Sequence, residues 1–91
     1  MQVTWNPAKA AVNRRDHRVD LAQAASVLDD PLAIRMEDPA HDEPRFLALG
    51  ATLSGLILVV VYAYTDNEDL RLISAQEASR AERRRYAEAR R

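Results

Sequence analysis

Hydrophobic and polar positions are divided unevenly along this chain. From Phe46 to Tyr64 nineteen successive residues carry no charge, and Arg45 and Asp66 mark the two ends of the run. About twenty apolar residues cross a bilayer as a helix, so length alone admits a membrane span. The pattern inside the run points to a hairpin. Gly50, Thr52, Ser54 and Gly55 cluster in its middle, where a turn needs permissive or hydrogen-bonding residues. The flanks, Arg45 to Leu49 and Leu56 to Tyr62, have strand length. Ile57 and Val59 to Val61 are β-branched and suited to a sheet. A flank apolar at every position predicts a strand covered on both faces.

The remaining pattern is punctuated clearly. Val3 to Trp5 reads as a short strand, ended by Asn6 and Pro7, which suit the cap and first turn of a helix from Pro7 to about Arg15. Asp20 with Gln23 resembles a capping box, and Leu21, Ala24, Ala25 and Leu28 recur at helical spacing. Asp29, Asp30 and Pro31 stop that second helix. Leu32 to Met36 is a strand candidate, residues 37 to 44 form a polar loop, and residues 66 to 69 form a turn. Leu70 to Ser74 alternates as a strand. Ser79 and Glu82 make a second capping box, opening a C-terminal helix whose arginines suit its dipole.

Composition narrows the class. Ninety-one residues make a single domain. With no cysteine, disulfides and thiolate metal sites are excluded. The opening residues lack the basic and apolar regions of a secretory signal, which leads to an expectation of a cytoplasmic protein. Charge is lopsided: residues 1 to 70 hold six basic and eleven acidic side chains, whereas residues 71 to 91 hold seven arginines and three glutamates. The tail is therefore an electropositive pole, facing either phosphates, an acidic partner, the chain's own acidic half, or solvent.

Trp5, Asn6, Pro7, Lys9, Ala10 and Asn13, then His17 and Val19, then the run from Ala24 through Val27, Leu28, Asp29, Asp30 and Pro31 form one ordered series. Asp38 and His41, Arg45 and Phe46 before Gly50, Val59 to Val61, Arg71 with Ile73, Ser74 and Ala75, and Glu82, Arg83 and Tyr86 continue it. In order and approximate spacing this series resembles the BrnT toxins, small ribonucleases of type II toxin–antitoxin modules, over residues 3 to 86. The resemblance implies an α+β, RelE-like fold. It would have two N-terminal helices, a mainly antiparallel twisted sheet with a central hairpin, and a C-terminal helix, in one domain over residues 1 to 91.

It further implies metal-independent cleavage of RNA by attack of the 2′-hydroxyl, inhibition of translation, and neutralisation by a BrnA-like ribbon-helix-helix antitoxin. That partner makes the assembly a hetero-oligomer, in contact with DNA only through the antitoxin. No cofactor and no membrane are implied. His17 and His41 stand far apart in different elements and do not form a helical metal-ligand pair.

Such a reaction needs a base, cationic donors for the phosphorus centre and an acid for the leaving oxygen. The candidates for catalysis are Arg45, Arg71, Arg83, His17 and Tyr86; those for RNA binding are Trp5, Lys9, Arg80 and Arg84. Each has a plainer reading. Trp5 can anchor the core, Lys9 can point to solvent, and His17 can orient a loop. Tyr86 can pack on the sheet while Arg83 pairs with a carboxylate. His41, in an acidic loop, reads as a local hydrogen-bonding group. Arg45 and Arg71 flank strands expected to converge, which is costly without a carboxylate or another anion.

Departures from the resemblance bear on activity. Gln76 and Leu56 stand where the family tends to have arginines, and Asp16 and Arg18 flank His17 where it tends to have lysine and glycine. Each missing cationic donor would cost on the order of 10²-fold in rate. Two further readings therefore stand beside the toxin: a catalytically attenuated relative that chiefly binds the antitoxin, and a small single-span membrane protein.

Overall fold

The uncharged run folds back on itself as two paired strands. In the computed structural model, which describes residues 2–39 and 42–89, β1 is Val3–Trp5, β2 Ile34–Asp38, β3 Arg45–Ala51, β4 Ile57–Tyr64 and β5 Leu70–Glu77. Helix α1 is Pro7–His17, α2 is Leu21–Ala24 continued by a 3-10 segment Ala25–Asp29, and α3 is Arg80–Ala89. The strands form one sheet in the order β1-β5-β4-β3-β2. β1 runs parallel to β5 and every other pairing is antiparallel. Residues 46 to 64 are thus a hairpin, which disposes of the single rod. No helix among the described residues is long and apolar enough to cross a membrane.

Local chemistry sets the boundaries. The Asn6 side chain accepts from the amides of Ala8, at 2.8 Å, and Lys9, at 3.4 Å, and α1 ends at Arg18 in the left-handed conformation. Ser79 and Glu82 form the reciprocal capping box: the Ser79 amide donates to Glu82 and the Glu82 amide to Ser79 Oγ. Asp20 accepts from the Ala22 amide, but Gln23 does not return the bond; its amide donates to Ser54 Oγ. The second helix is α-helical for only four residues. Leu21, Ala24 and Val27 are all fully buried, and a spacing of three is the repeat of the tighter 3-10 winding.

Some elements sit differently from the sequence expectation. β2 begins at Ile34, because Pro31 and Leu32 lie in a turn in which Asp30 accepts from the Ala33 and Leu32 amides. Gly50 is a strand residue, and only Gly55, at φ +92°, serves the turn. A Cβ on Gly50 would stand 3.0 Å from Ala33 Cβ, 3.0 Å from Asp30 Oδ2 and 3.1 Å from Val27 Cγ1. Gly50→Ala should therefore destabilise the fold by about 1–3 kcal/mol through overpacking, read as a lower urea midpoint.

The two faces of the sheet are covered unequally. One face packs Ala48, Leu58, Val60, Tyr62, Leu70, Leu72 and Ala75 against Val19, Leu21, Ala24, Val27 and Leu28. On the other, α3 contributes Tyr86, which clusters with Leu49 and Ala78 over Ile34, Ala51, Ile57 and Val59. Met36, Leu47 and Val61 lie outside that second cluster and are half-buried. Ile57 and Val59, beneath α3, are half-buried too, so the expectation of a strand covered on both faces fails along most of the second face of β4.

Candidate functional site

Below α3, the second face carries two of the cations that the sequence singled out, Arg45 and Arg71. On one side Ala63 pairs with Arg71, and on the other Tyr62 pairs with Phe46, so Arg45, one residue before Phe46, continues that register toward Ala63 and falls in the same cross-strand row. Two strand spacings separate the arginines, about 10 Å. Ala63 between them is buried. Glu43 reaches into the row and pairs with Arg71. Arg45 Nε is buried and has no hydrogen-bond partner among the described residues. A buried guanidinium nitrogen left open in this way invites an acceptor.

A β-bulge shapes the neighbouring strand. Val61 pairs with Ser74 while the next residue, Tyr62, pairs with Leu72, leaving Ile73 as the extra residue. The bulge reverses the alternation and brings Ser74 and Gln76 onto the face of Arg71. It also releases Ile73 toward α1. There Ala8, Lys9, Val12, Asn13, Asp16 and His17 oppose Ile73 and Ser74 across a cleft of about 290 Å³. Ser74 belongs to both surfaces and joins the cleft to the arginine row.

Asn13 holds that junction together. Its Nδ2 donates to the carbonyls of Val19 and Ala75, both at 2.9 Å, and its Oδ1 accepts from the Ala75 amide at 3.0 Å. β1 pairs with β5 only as far as Leu72, and the Asn13 amide takes over the edge where β1 leaves it. Nearby, the hydrogen bond and charge of Arg15 hold the Asp16 carboxyl below the usual carboxylate range.

The other expected residues are spread more widely. Lys9 and His17 line the cleft and are exposed; α1 extends through His17, so this residue lies in its last turn. Trp5 is half-buried against the first core cluster, in the position of an anchor. Arg80, Arg83 and Arg84 are exposed on α3, which packs two or more rows away from Arg45 and Arg71. Tyr86 stands apart from the rest: it is 4% exposed and its hydroxyl donates to Asp30 Oδ2 at 2.5 Å. That geometry gives Tyr86 a packing role and fixes its hydroxyl on Asp30. His41 lies outside the described residues. Sequence reasoning missed Glu43 as the partner of Arg71, Asn13 as a fastener and Asp30 as the acceptor for Leu32, Ala51 and Tyr86.

Residues 5–82 match the family model described as the ribonuclease toxin, BrnT, of type II toxin–antitoxin systems. Among solved structures, the crystal structure of the Brucella abortus ribonuclease toxin BrnT is similar, with a TM-score of 0.67 and 26% identity over 88% of this chain and 99% of that one. No curated protein matches.

Proposed function

We propose, from the premise that this chain belongs to the BrnT family of ribonuclease toxins of type II toxin–antitoxin systems, that it cleaves RNA without a metal on the face bearing Arg45 and Arg71. The observation that carries the reading is the buried, unpartnered Arg45 Nε beside an open sheet surface. An RNA phosphate supplies the missing acceptor, and guanidinium groups can fork onto its oxygens. The 2′-oxygen attacks the adjacent phosphorus, its proton passes to a base, and the bond to the 5′-oxygen breaks as that oxygen takes a proton. Arg45 and Arg71 stabilise the charge that gathers on the phosphoryl oxygens. His17, across the Ser74 junction, is the candidate proton carrier, with Lys9 beside it as a further RNA contact. The arginines of α3 extend the cationic surface along which RNA approaches.

Family membership also implies an antitoxin. We assign a BrnA-like ribbon-helix-helix protein to the open half of the face, where Met36, Leu47 and Val61 leave apolar surface for a partner. Neutralisation then follows from occlusion, in a cytoplasmic hetero-oligomer that meets DNA through the antitoxin, and release of the toxin slows translation. Incubating the purified chain with RNA in chelator tests the enzyme. Cleavage that antitoxin suppresses supports it, and intact RNA at every protein concentration refutes it.

A specific observation favours a second reading, an attenuated relative that mainly grips its antitoxin. Gln76 lies on the face of Arg71 without a charge, and Arg71 is already paired with Glu43. Gln76→Arg restores a donor on that face and should raise the cleavage rate about tenfold, less than a fully preorganised donor provides. An unchanged rate in a single-turnover assay would remove Gln76 as the cause of attenuation.

A further inference from the structure

Phosphate binding does not account for the cleft between α1 and β5. Its floor is apolar, made by Ala8, Val12 and Ile73. Val12 is 45% exposed, so the chain's own side chains leave this surface uncovered. Its rim mixes Lys9 and His17 with Asp16 and Ser74. Asp16, whose carboxyl Arg15 shifts below the usual carboxylate range, carries a negative charge that would repel a phosphate. An apolar floor ringed by a few hydrogen-bonding groups suits a flat ligand with polar edges. Unstacked RNA bases are read in this way, by their faces and their hydrogen-bonding edges. Through Ser74 the cleft is continuous with the face of Arg71, three residues earlier on β5. That separation is roughly 10 Å along a strand, within reach of the base and phosphate of one nucleotide.

Resting on the ribonuclease reading above, we infer that the α1–β5 cleft holds a nucleobase of the RNA and that Asp16 selects guanine. The two oxygens of a carboxylate accept side by side, and guanine presents two adjacent donors, its ring N1–H and its exocyclic amino group, with the O6 acceptor next to them for Lys9. Adenine and cytosine set a single amino group beside a bare ring nitrogen that the carboxylate repels. Uracil offers one N–H between two carbonyls. The Arg15–Asp16 pair is exposed, with 74% and 47% of the two side chains open to solvent, and such pairs contribute little net stability. The carboxylate can therefore exchange Arg15 for a base.

The test titrates the purified full chain with guanosine, adenosine, cytidine and uridine 3′-monophosphates, followed by the NMR shifts of its backbone amides. The guanosine nucleotide should bind about tenfold or more tightly than the others, moving the amides of Val12, Ile73 and Ser74. Asp16→Asn should remove the preference with the unliganded spectrum otherwise preserved, and Val12→Arg, which fills the floor from an exposed position, should abolish the shifts. Equal affinity for all four nucleotides overturns the inference. So do a preference that survives Asp16→Asn, shifts confined to other surfaces, or no binding. Because the readout is binding, guanosine recognition by a chain that never cleaves RNA upholds the pocket and refutes the ribonuclease. Cleavage without any base preference does the reverse.

Discussion

Arg45→Ala should lower the rate of RNA cleavage in chelator about 10²–10³-fold, the loss expected when one preorganised donor to a developing phosphate charge is removed. The size of the effect follows from the burial of Arg45 Nε and its lack of a partner among the described residues. A donor already desolvated is stronger toward an incoming anion than one that must first shed water. Arg45→Lys separates charge from geometry. Lysine keeps the positive charge but loses the planar fork, so it should recover only a small part of the rate. Arg71→Ala should fall less steeply, because Arg71 must leave Glu43 before it can reach substrate. Single-turnover rates decide the matter, with circular dichroism to show that each variant is folded. Arg45→Ala cleaving at the wild-type rate would remove the sheet face from the mechanism.

Asn13→Ala should cost about 3 kcal/mol of stability or more. The side chain is 4% exposed and serves three backbone groups: the carbonyls of Val19 and Ala75 and the amide of Ala75. Alanine leaves all three without their partner, and a buried polar group left unsatisfied costs about 1–3 kcal/mol. Asn13→Asp is the sharper experiment. The shape is nearly unchanged and Oδ1 can still accept from Ala75, but the two donated hydrogen bonds become contacts between a carboxylate and two carbonyls. It should destabilise at least as much as alanine at neutral pH. Urea unfolding measures both variants; if Asn13→Asp kept the wild-type midpoint, the fastening role would be lost. The same variants should loosen the α1–β5 cleft, since Asn13 ties α1 to the strand that forms its other wall.

Features governed by neighbours in sequence were legible from the start. Asn6 and Pro7 opened α1, and the exchange between Ser79 and Glu82 opened α3, because caps act over a few residues whatever the rest of the chain does. The hairpin was legible from β-branched flanks around a cluster of glycine, threonine and serine, and the resemblance to BrnT lay in residues strung along nearly the whole chain. Even within these elements, Gly50 was read as a turn glycine, whereas the constraint on it comes from Ala33, Asp30 and Val27 packed against the strand.

The candidate site depended on contacts between distant parts of the chain. Arg45 and Arg71 were expected to converge, but their shared row exists because β4 lies between β3 and β5, with Phe46 opposite Tyr62 and Ala63 opposite Arg71. No local pattern announces Ile73 as the extra residue of a bulge, and the bulge alone determines that Ser74 and Gln76 face the same way as Arg71. Asn13 bonds a residue 62 positions away and Tyr86 one 56 positions away. Sequence by itself determined the caps, the hairpin and the family, since these rest on short-range hydrogen bonding, hydrophobic pattern and residue order. Tertiary structure decided which cations meet, which edge Asn13 seals and where Tyr86 spends its hydroxyl, because strand order and register are properties of the packed sheet and of no single segment within it.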